Sequence, residues 1–219
     1  MTILMFDIDG TLSTSQGAGT LAMTRTFMQL WGIERALTGM NFAGRSDSWI
    51  VPTALTNNGR DCSADDLERF VDAYVPHLGE AVIERNSELC PGVMELLDAL
   101  ADEDVTMGLG TGNFRRAAEA KLAPLGIWDR FVDGGFGDDA ADRTELLAIG
   151  LERLRQLSSD GADAVVIGDT GHDVEAGHAI GAKVVAVKTG YAQPGELDEA
   201  DVLLDDLSDL QASMVALLE

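Results

Sequence analysis

Short apolar runs and helical patterns alternate along most of the chain. Residues 3–8, 105–109, 131–132, 164–167 and 184–187 read as core strands. Pro91-Gly92-Val93 opens a helix with Val93, Leu96, Leu97 and Leu100 on one face. Residues 143–157 carry Leu146, Leu147, Ile149, Leu151 and Leu154, a second buried face. Residues 206–218 read as a closing helix and 202–204 as a last edge strand. This alternation predicts an α/β fold, a Rossmann-like parallel sheet with helices on both faces.

Residues 15–86 break the pattern. They hold three helical stretches, 18–31, 47–57 and 64–85, and no strand. Ser63 and Asp66 have the spacing of a capping box, and Pro76 predicts a kink in the third helix. The expected organisation is a core of residues 1–14 and 87–219 with an inserted α-helical cap of residues 15–86.

Ligands of a parallel sheet bind beyond the carboxyl ends of its strands. Polar residues gather there in this chain. Asp7-Ile8-Asp9-Gly10-Thr11 follows the first strand, and Gly110-Thr111-Gly112-Asn113 follows the second. Asp138-Asp139 and Arg143 come after the third. Gly168-Asp169-Thr170 follows the fourth, with Asp173 four residues past Asp169. Paired carboxylates beside a buried strand repel each other unless a cation joins them, and Mg²⁺ suits oxygen ligands next to a phosphate. A carboxylate can attack phosphorus, a hydroxyl and helix-start N–H groups can hold phosphate oxygens, and a cation can offset the transition-state charge.

Composition narrows the partners. The chain has 219 residues, enough to bury a full core, and 46% hydrophobic content. A formal net charge of −23 opposes binding to nucleic acid or an anionic membrane. It leaves room for a small phosphorylated metabolite met by local cations. The lysines are Lys121, Lys183 and Lys188, and most positive charge is arginine. Salt adaptation and an arginine-rich codon usage both fit that balance. No apolar run is long enough for a membrane span, and the N-terminus lacks a secretory pattern, so a cytoplasmic protein is expected. Cys62 and Cys90 form no CxxC pair, which argues against a disulfide framework or a zinc site. A monomer and a homodimer are both compatible with the sequence.

Together the strand-end motifs resemble those of the haloacid dehalogenase-like (HAD) hydrolase superfamily, in its capped, phosphoglycolate phosphatase-like branch. The resemblance implies Asp7 as nucleophile and Asp9 as general acid–base. It implies Thr111, Gly112 and Asn113 as phosphate binders, and Asp7, Asp9 (through its carbonyl), Asp169 and Asp173 around Mg²⁺. The family's basic residue is most often a lysine before the fourth strand. No lysine lies between Lys121 and Lys183, and Arg143 occupies the position. Dehalogenase members lack the second acid of the first motif, so Asp9 points to a phosphate ester.

Arg45, inside Gly44-Arg45-Ser46-Asp47, resembles a cap loop residue facing the substrate; it also reads as a solvated arginine before a helix cap. His172 reads as solvent-exposed, and Arg115 and Arg116 as a solvated helix face. The expected activity is Mg²⁺-dependent hydrolysis of a small phosphate monoester, phosphoglycolate-like or a sugar phosphate, through an aspartyl-phosphate. β-Phosphoglucomutase-like transfer and a non-catalytic phosphate-binding protein are the alternatives.

Overall fold

The computed structural model describes residues 1–41, 44–158 and 161–219. The first elements are β1 (Thr2–Phe6), β2 (Ser13–Thr14), α1 (Ala18–Trp31), α2 (Asp47–Asn57), α3 (Ala64–Glu84) and β3 (Glu88–Leu89). Then come α4 (Val93–Leu100), β4 (Val105–Gly110), α5 (Arg115–Leu122), β5 (Gly134–Gly135), α6 (Arg143–Leu157) and β6 (Asp163–Gly168). The chain closes with α7 (Gly171–Ala179), β7 (Lys183–Val187), β8 (Val202–Leu204) and α8 (Leu210–Leu218).

Six strands form one parallel sheet in the order β5-β4-β1-β6-β7-β8. β1 explains why its sequence is an unbroken apolar run. Ile3 and Met5 face one side, against Leu146, Leu147, Leu151 and Leu154 of α6. Leu4 and Phe6 face the other, in a cluster with Leu96 and Leu97 of α4, Leu122 of α5 and Leu217 of α8. A strand covered on both faces has no polar side to alternate with. Each such side chain taken from water stabilises the fold by about 1.5–3 kcal/mol.

The third strand departs from its sequence reading. Residues 131–132 are not a strand; a 3-10 turn covers Trp128–Arg130 and β5 is the pair Gly134–Gly135. The reason is the closeness of α6: a Cβ on Gly135 would fall 1.9 Å from the Leu146 carbonyl oxygen. Packing against backbone, not an apolar side chain, marks this strand. α8 also starts later than the pattern implies, at Leu210.

Helices α1 to α3 pack on one another around aromatic rings. The centroids of Phe27 and Phe70 lie 5.0 Å apart, and those of Phe70 and Tyr74 5.4 Å apart. This cluster also takes in Phe114 and Ala117, so the helical insertion is seated on α5 of the sheet layer. The Ser63–Asp66 capping box is formed, and α3 passes through Pro76. Where the chain leaves for α1 and returns after α3, β2 and β3 pair antiparallel, with Thr14 opposite Glu88. Two residues per strand are too few to show a pattern in sequence.

Candidate active site

β1 lies between β4 and β6, with Phe6 in register with both Leu109 and Ile167. The residues that follow therefore emerge together at one edge: Asp7 from β1, Thr111 from β4 and Asp169 from β6. Above them is a cavity of about 450 Å³, within the ordinary range for a small-molecule site. Asp7, Asp9, Arg45, Thr111, Gly112, Asn113, Arg143, Asp169 and Asp173 all line it.

Asp7 is held where its charge is costly. Its main-chain N–H donates to the Ile167 carbonyl at 2.9 Å, which ties it to the sheet. Burial pushes its carboxyl up to about 6, against the pull of Arg143. Arg143 sits at the first residue of α6, behind an N-cap by Asp142 that accepts from the Glu145 N–H. One guanidinium nitrogen, Nη2, reaches Asp7 Oδ1 at 2.8 Å, Asp173 Oδ1 at 2.5 Å and the Gly110 carbonyl at 2.8 Å. Arg143 Nε is buried without a hydrogen-bond partner among the described residues. The arginine thus bridges two carboxylates through one nitrogen.

Asp7, Asp169 and Asp173 each bring a carboxylate oxygen within 4.8 Å of the others. All three are buried, and Asp169 is driven up to about 8 by burial and by the charges of Asp7 and Asp173. Three buried carboxylates facing one guanidinium leave negative charge uncompensated, and an all-oxygen set of this kind fits a hard divalent cation. Asp169 is anchored by the Tyr191 N–H at 2.8 Å. Asp173 also holds its own helix, because its Oδ2 accepts from the N–H and the hydroxyl of Thr170 and closes a capping box on α7.

The loop after β4 forms the opposite wall. Thr111 Oγ1 accepts from the Asn113 side-chain amide at 2.8 Å, and that amide also donates to Asp9 Oδ2 at 2.9 Å. Asp9 is further bound by Lys121, whose Nζ lies 2.5 Å from Oδ2. Burial alone would raise the Asp9 carboxyl. Lys121, with hydrogen bonds from Lys121, Asn113 and Ser15, overcomes burial and holds it below the ordinary carboxylate value.

The sequence reading gave Lys121 no place in the site. It is 5% exposed and stands on the inner face of α5 with Ala117, Ala118 and Leu122. A lone lysine on the apolar face of a short helix was the available signal.

The helical insertion touches the site at α2. Asp47 N–H donates to the Gly112 carbonyl at 2.7 Å, and Asp47 Oδ2 accepts from the Phe114 N–H at 2.9 Å. Ser46 Oγ donates to the Ala141 carbonyl at 2.7 Å. Burial pushes the Asp47 carboxyl up to about 7.

Arg45 lies at the cavity with its guanidinium 5.0 Å from the Trp49 ring centroid. Phe42 and Ala43 of the same loop lie outside the described residues. Several side chains differ from the sequence reading. Arg115 stays partly exposed but is not free: it pairs with Asp133 at 2.5 Å and stacks 4.0 Å from the Phe136 centroid. Arg116 is exposed but pairs with Asp72 of α3. His172 is half-buried, beneath Gly44. Asp139 is committed to Arg153 and the Phe136 N–H, so its role is structural.

A family model described as a haloacid dehalogenase-like hydrolase matches residues 1–181. The chain belongs to that family. This HAD hydrolase is a phosphoric monoester hydrolase, in keeping with its phosphatase-named relatives. It is similar to the phosphoglycolate phosphatase of Rhodospirillum rubrum, 30% identical over 220 residues, which cover 94% of this chain and 88% of the relative. Pyrophosphatase PpaX of Listeria monocytogenes is 26% identical over 216 residues, covering 97% and 95%. Among solved structures, CbbY from Rhodobacter sphaeroides in complex with phosphate superposes with a TM-score of 0.78 at 20% identity, over 99% of both chains. At that identity the likeness is one of fold. No helix among the described residues is long and apolar enough to cross a membrane.

Proposed function

We propose that this hydrolase cleaves a small phosphate monoester, phosphoglycolate-like or a sugar phosphate, through an aspartyl-phosphate, an acyl phosphate on Asp7. The observation that carries the reading is Asp7 itself, a buried carboxylate between Arg143 and the Thr111 loop, with Asp169 and Asp173 behind it. Mg²⁺ would be held by Asp7, the Asp9 carbonyl, Asp169 and Asp173. It would supply Lewis-acid neutralisation of the phosphate oxygens.

In the first half, an Asp7 carboxylate oxygen attacks phosphorus and the bond to the leaving oxygen breaks. Arg143 draws negative charge away from Asp7 and is placed to bind the transferring group, and the Thr111 hydroxyl with the Gly112 N–H is placed to hold its other oxygens. Asp9 gives its proton to the leaving oxygen. In the second half, Asp9 takes a proton from water as the water attacks phosphorus, and the Asp7–phosphorus bond breaks to release phosphate. The clamp of Lys121, Asn113 and Ser15 favours the ionised form of Asp9, so it serves this second half and works against the first, in which Asp9 must hold a proton. Residues 15–86 act as a cap that covers the site and selects the leaving group, with Arg45 meeting anionic substrate at the mouth.

The test is phosphate release from a metabolite panel with Mg²⁺, with Asp7→Asn as the blank. The reading requires turnover in the wild type, none above background in the variant, and no isomerised sugar phosphate.

A further inference from the structure

One corner of the cavity holds donors that the chemistry at Asp7 does not use. Lys121 Nζ donates to Asp9 Oδ2, and an ammonium carries three N–H groups. The other two have no partner among the described residues, yet Lys121 is almost fully enclosed and lines the cavity. Tyr74, from α3, is 1% exposed and also lines the cavity, and its hydroxyl has no hydrogen-bond partner among the described residues. Both groups converge on the first turn of α1: a Cβ placed on Gly19 would lie 3.7 Å from the Tyr74 hydroxyl and 3.9 Å from Lys121 Nζ. Gly17, the residue before α1, gives no side-chain cap, so the positive end of that helix also opens here.

The nearby carboxylates have donors of their own. Asp9 accepts from Lys121 and Asn113, and Asp47 accepts from the Phe114 N–H. What the corner lacks is a group that accepts several hydrogen bonds at once, and an oxyanion does so. Its place relative to the reaction follows from Asp9. The leaving oxygen must reach Asp9 to take its proton, so the leaving half of the substrate lies against Asp9 and hence beside Lys121. Of the other cations that line the cavity, Arg143 is bound to Asp7 and Asp173, and Arg45 is exposed and stacked on Trp49.

We infer that Lys121, the Tyr74 hydroxyl and the first turn of α1 form a subsite for an acidic group, a carboxylate or a phosphate, on the leaving half of the substrate. The inference rests on the phosphatase reading above. It makes Lys121 a specificity determinant and separates esters with an acidic leaving group from neutral ones of the same size.

The experiment compares steady-state kinetics with Mg²⁺ on 2-phosphoglycolate, pyrophosphate and ethyl phosphate. Wild type is expected to favour at least one acidic substrate over ethyl phosphate by tenfold or more in kcat/KM; which one identifies carboxylate or phosphate. Lys121→Gln should lower kcat on all substrates through Asp9 and, beyond that common loss, remove the preference for the acidic ones, and Lys121→Arg should restore part of it. Tyr74→Phe keeps the ring packing and does not touch Asp9; it should cut the preference several-fold with kcat on ethyl phosphate little changed. A preference for the acidic substrates left unchanged in both the Lys121 and Tyr74 variants, whatever loss all substrates share, would overturn the subsite, because Lys121 would then act only through Asp9. A wild type that hydrolyses ethyl phosphate and an aryl phosphate without preferring either acidic substrate overturns the subsite and leaves the phosphatase reading intact. A wild type that hydrolyses none of them overturns both.

Discussion

The main-chain N–H of Asp47, in the helical insertion, donates to the carbonyl of Gly112, in the loop after β4, at 2.7 Å. The same loop carries Thr111 and Asn113, so the insertion is fastened to the wall that faces Asp7. The fit is tight: a Cβ on Gly112 would come 2.8 Å from Ser46 Cα and 2.9 Å from the Arg45 carbonyl oxygen. Gly112→Ala should therefore push α2 off the core while leaving the sheet intact. Turnover should fall at least about tenfold, as expected when groups that position substrate shift by about an ångström. Near wild-type kinetics for this variant would show that α2 need not seat there.

Arg143 separates two buried carboxylates, and its removal leaves both without a counter-charge. Loss of one partner from a buried ion pair costs roughly 3–5 kcal/mol. Arg143→Ala should lower the metal-free melting temperature, and added Mg²⁺ should recover part of the loss. Phosphate release should fall by about 100-fold or more. Arg143→Lys keeps the charge but not the reach of the guanidinium, and should lie between the two. Calorimetry and phosphate-release rates check both variants.

Three buried carboxyls titrate late: Asp7 at about 6, Asp47 at about 7 and Asp169 at about 8. In the unfolded chain each ionises near 3.8. Between these values the folded state holds more protons, so stability falls as pH rises. The metal-free melting temperature should thus decline from about pH 4 to pH 8. Mg²⁺ must displace protons from Asp7 and Asp169, so its affinity should rise over the upper part of that range. Titration calorimetry in buffers of different ionisation enthalpy would read the released protons. A metal-free melting curve that is flat or rising across the window contradicts the assignment.

The formal charge of −23 gives a self-repelling surface. Its basic residues are spent in local pairs such as Arg116–Asp72 and Arg130–Asp98, both largely exposed. Exposed pairs contribute about 0–1 kcal/mol each, so screening the net repulsion should outweigh screening the pairs. The melting temperature should rise between 0.05 and 0.5 M NaCl, values chosen to take the Debye length from about 14 to about 4 Å. A fall over that range would mean that the pairs dominate.

Much of the site was legible because it depends on local rules. An apolar run followed by Asp7 and Asp9 marks a strand end, and Asp142 before Arg143 caps a helix whose bounds agree with its periodicity. The strands adjacent to β1 could be read the same way, since burial on both faces leaves an apolar signature. β5 could not, because its two glycines are set by the approach of the α6 backbone.

The sequence alone determined which chemical groups stand at the strand ends, since local patterning places them there whatever the rest of the chain does. Only the tertiary structure decided how those groups share their charges. Arg143 reaches Asp7 and Asp173 across 136 and 30 residues, and Lys121 reaches Asp9 across 112. Such pairings arise from the order of strands and the seating of α3 on α5. Burial then turns an ordinary lysine on a short helix into the enclosed cation beside Asp9.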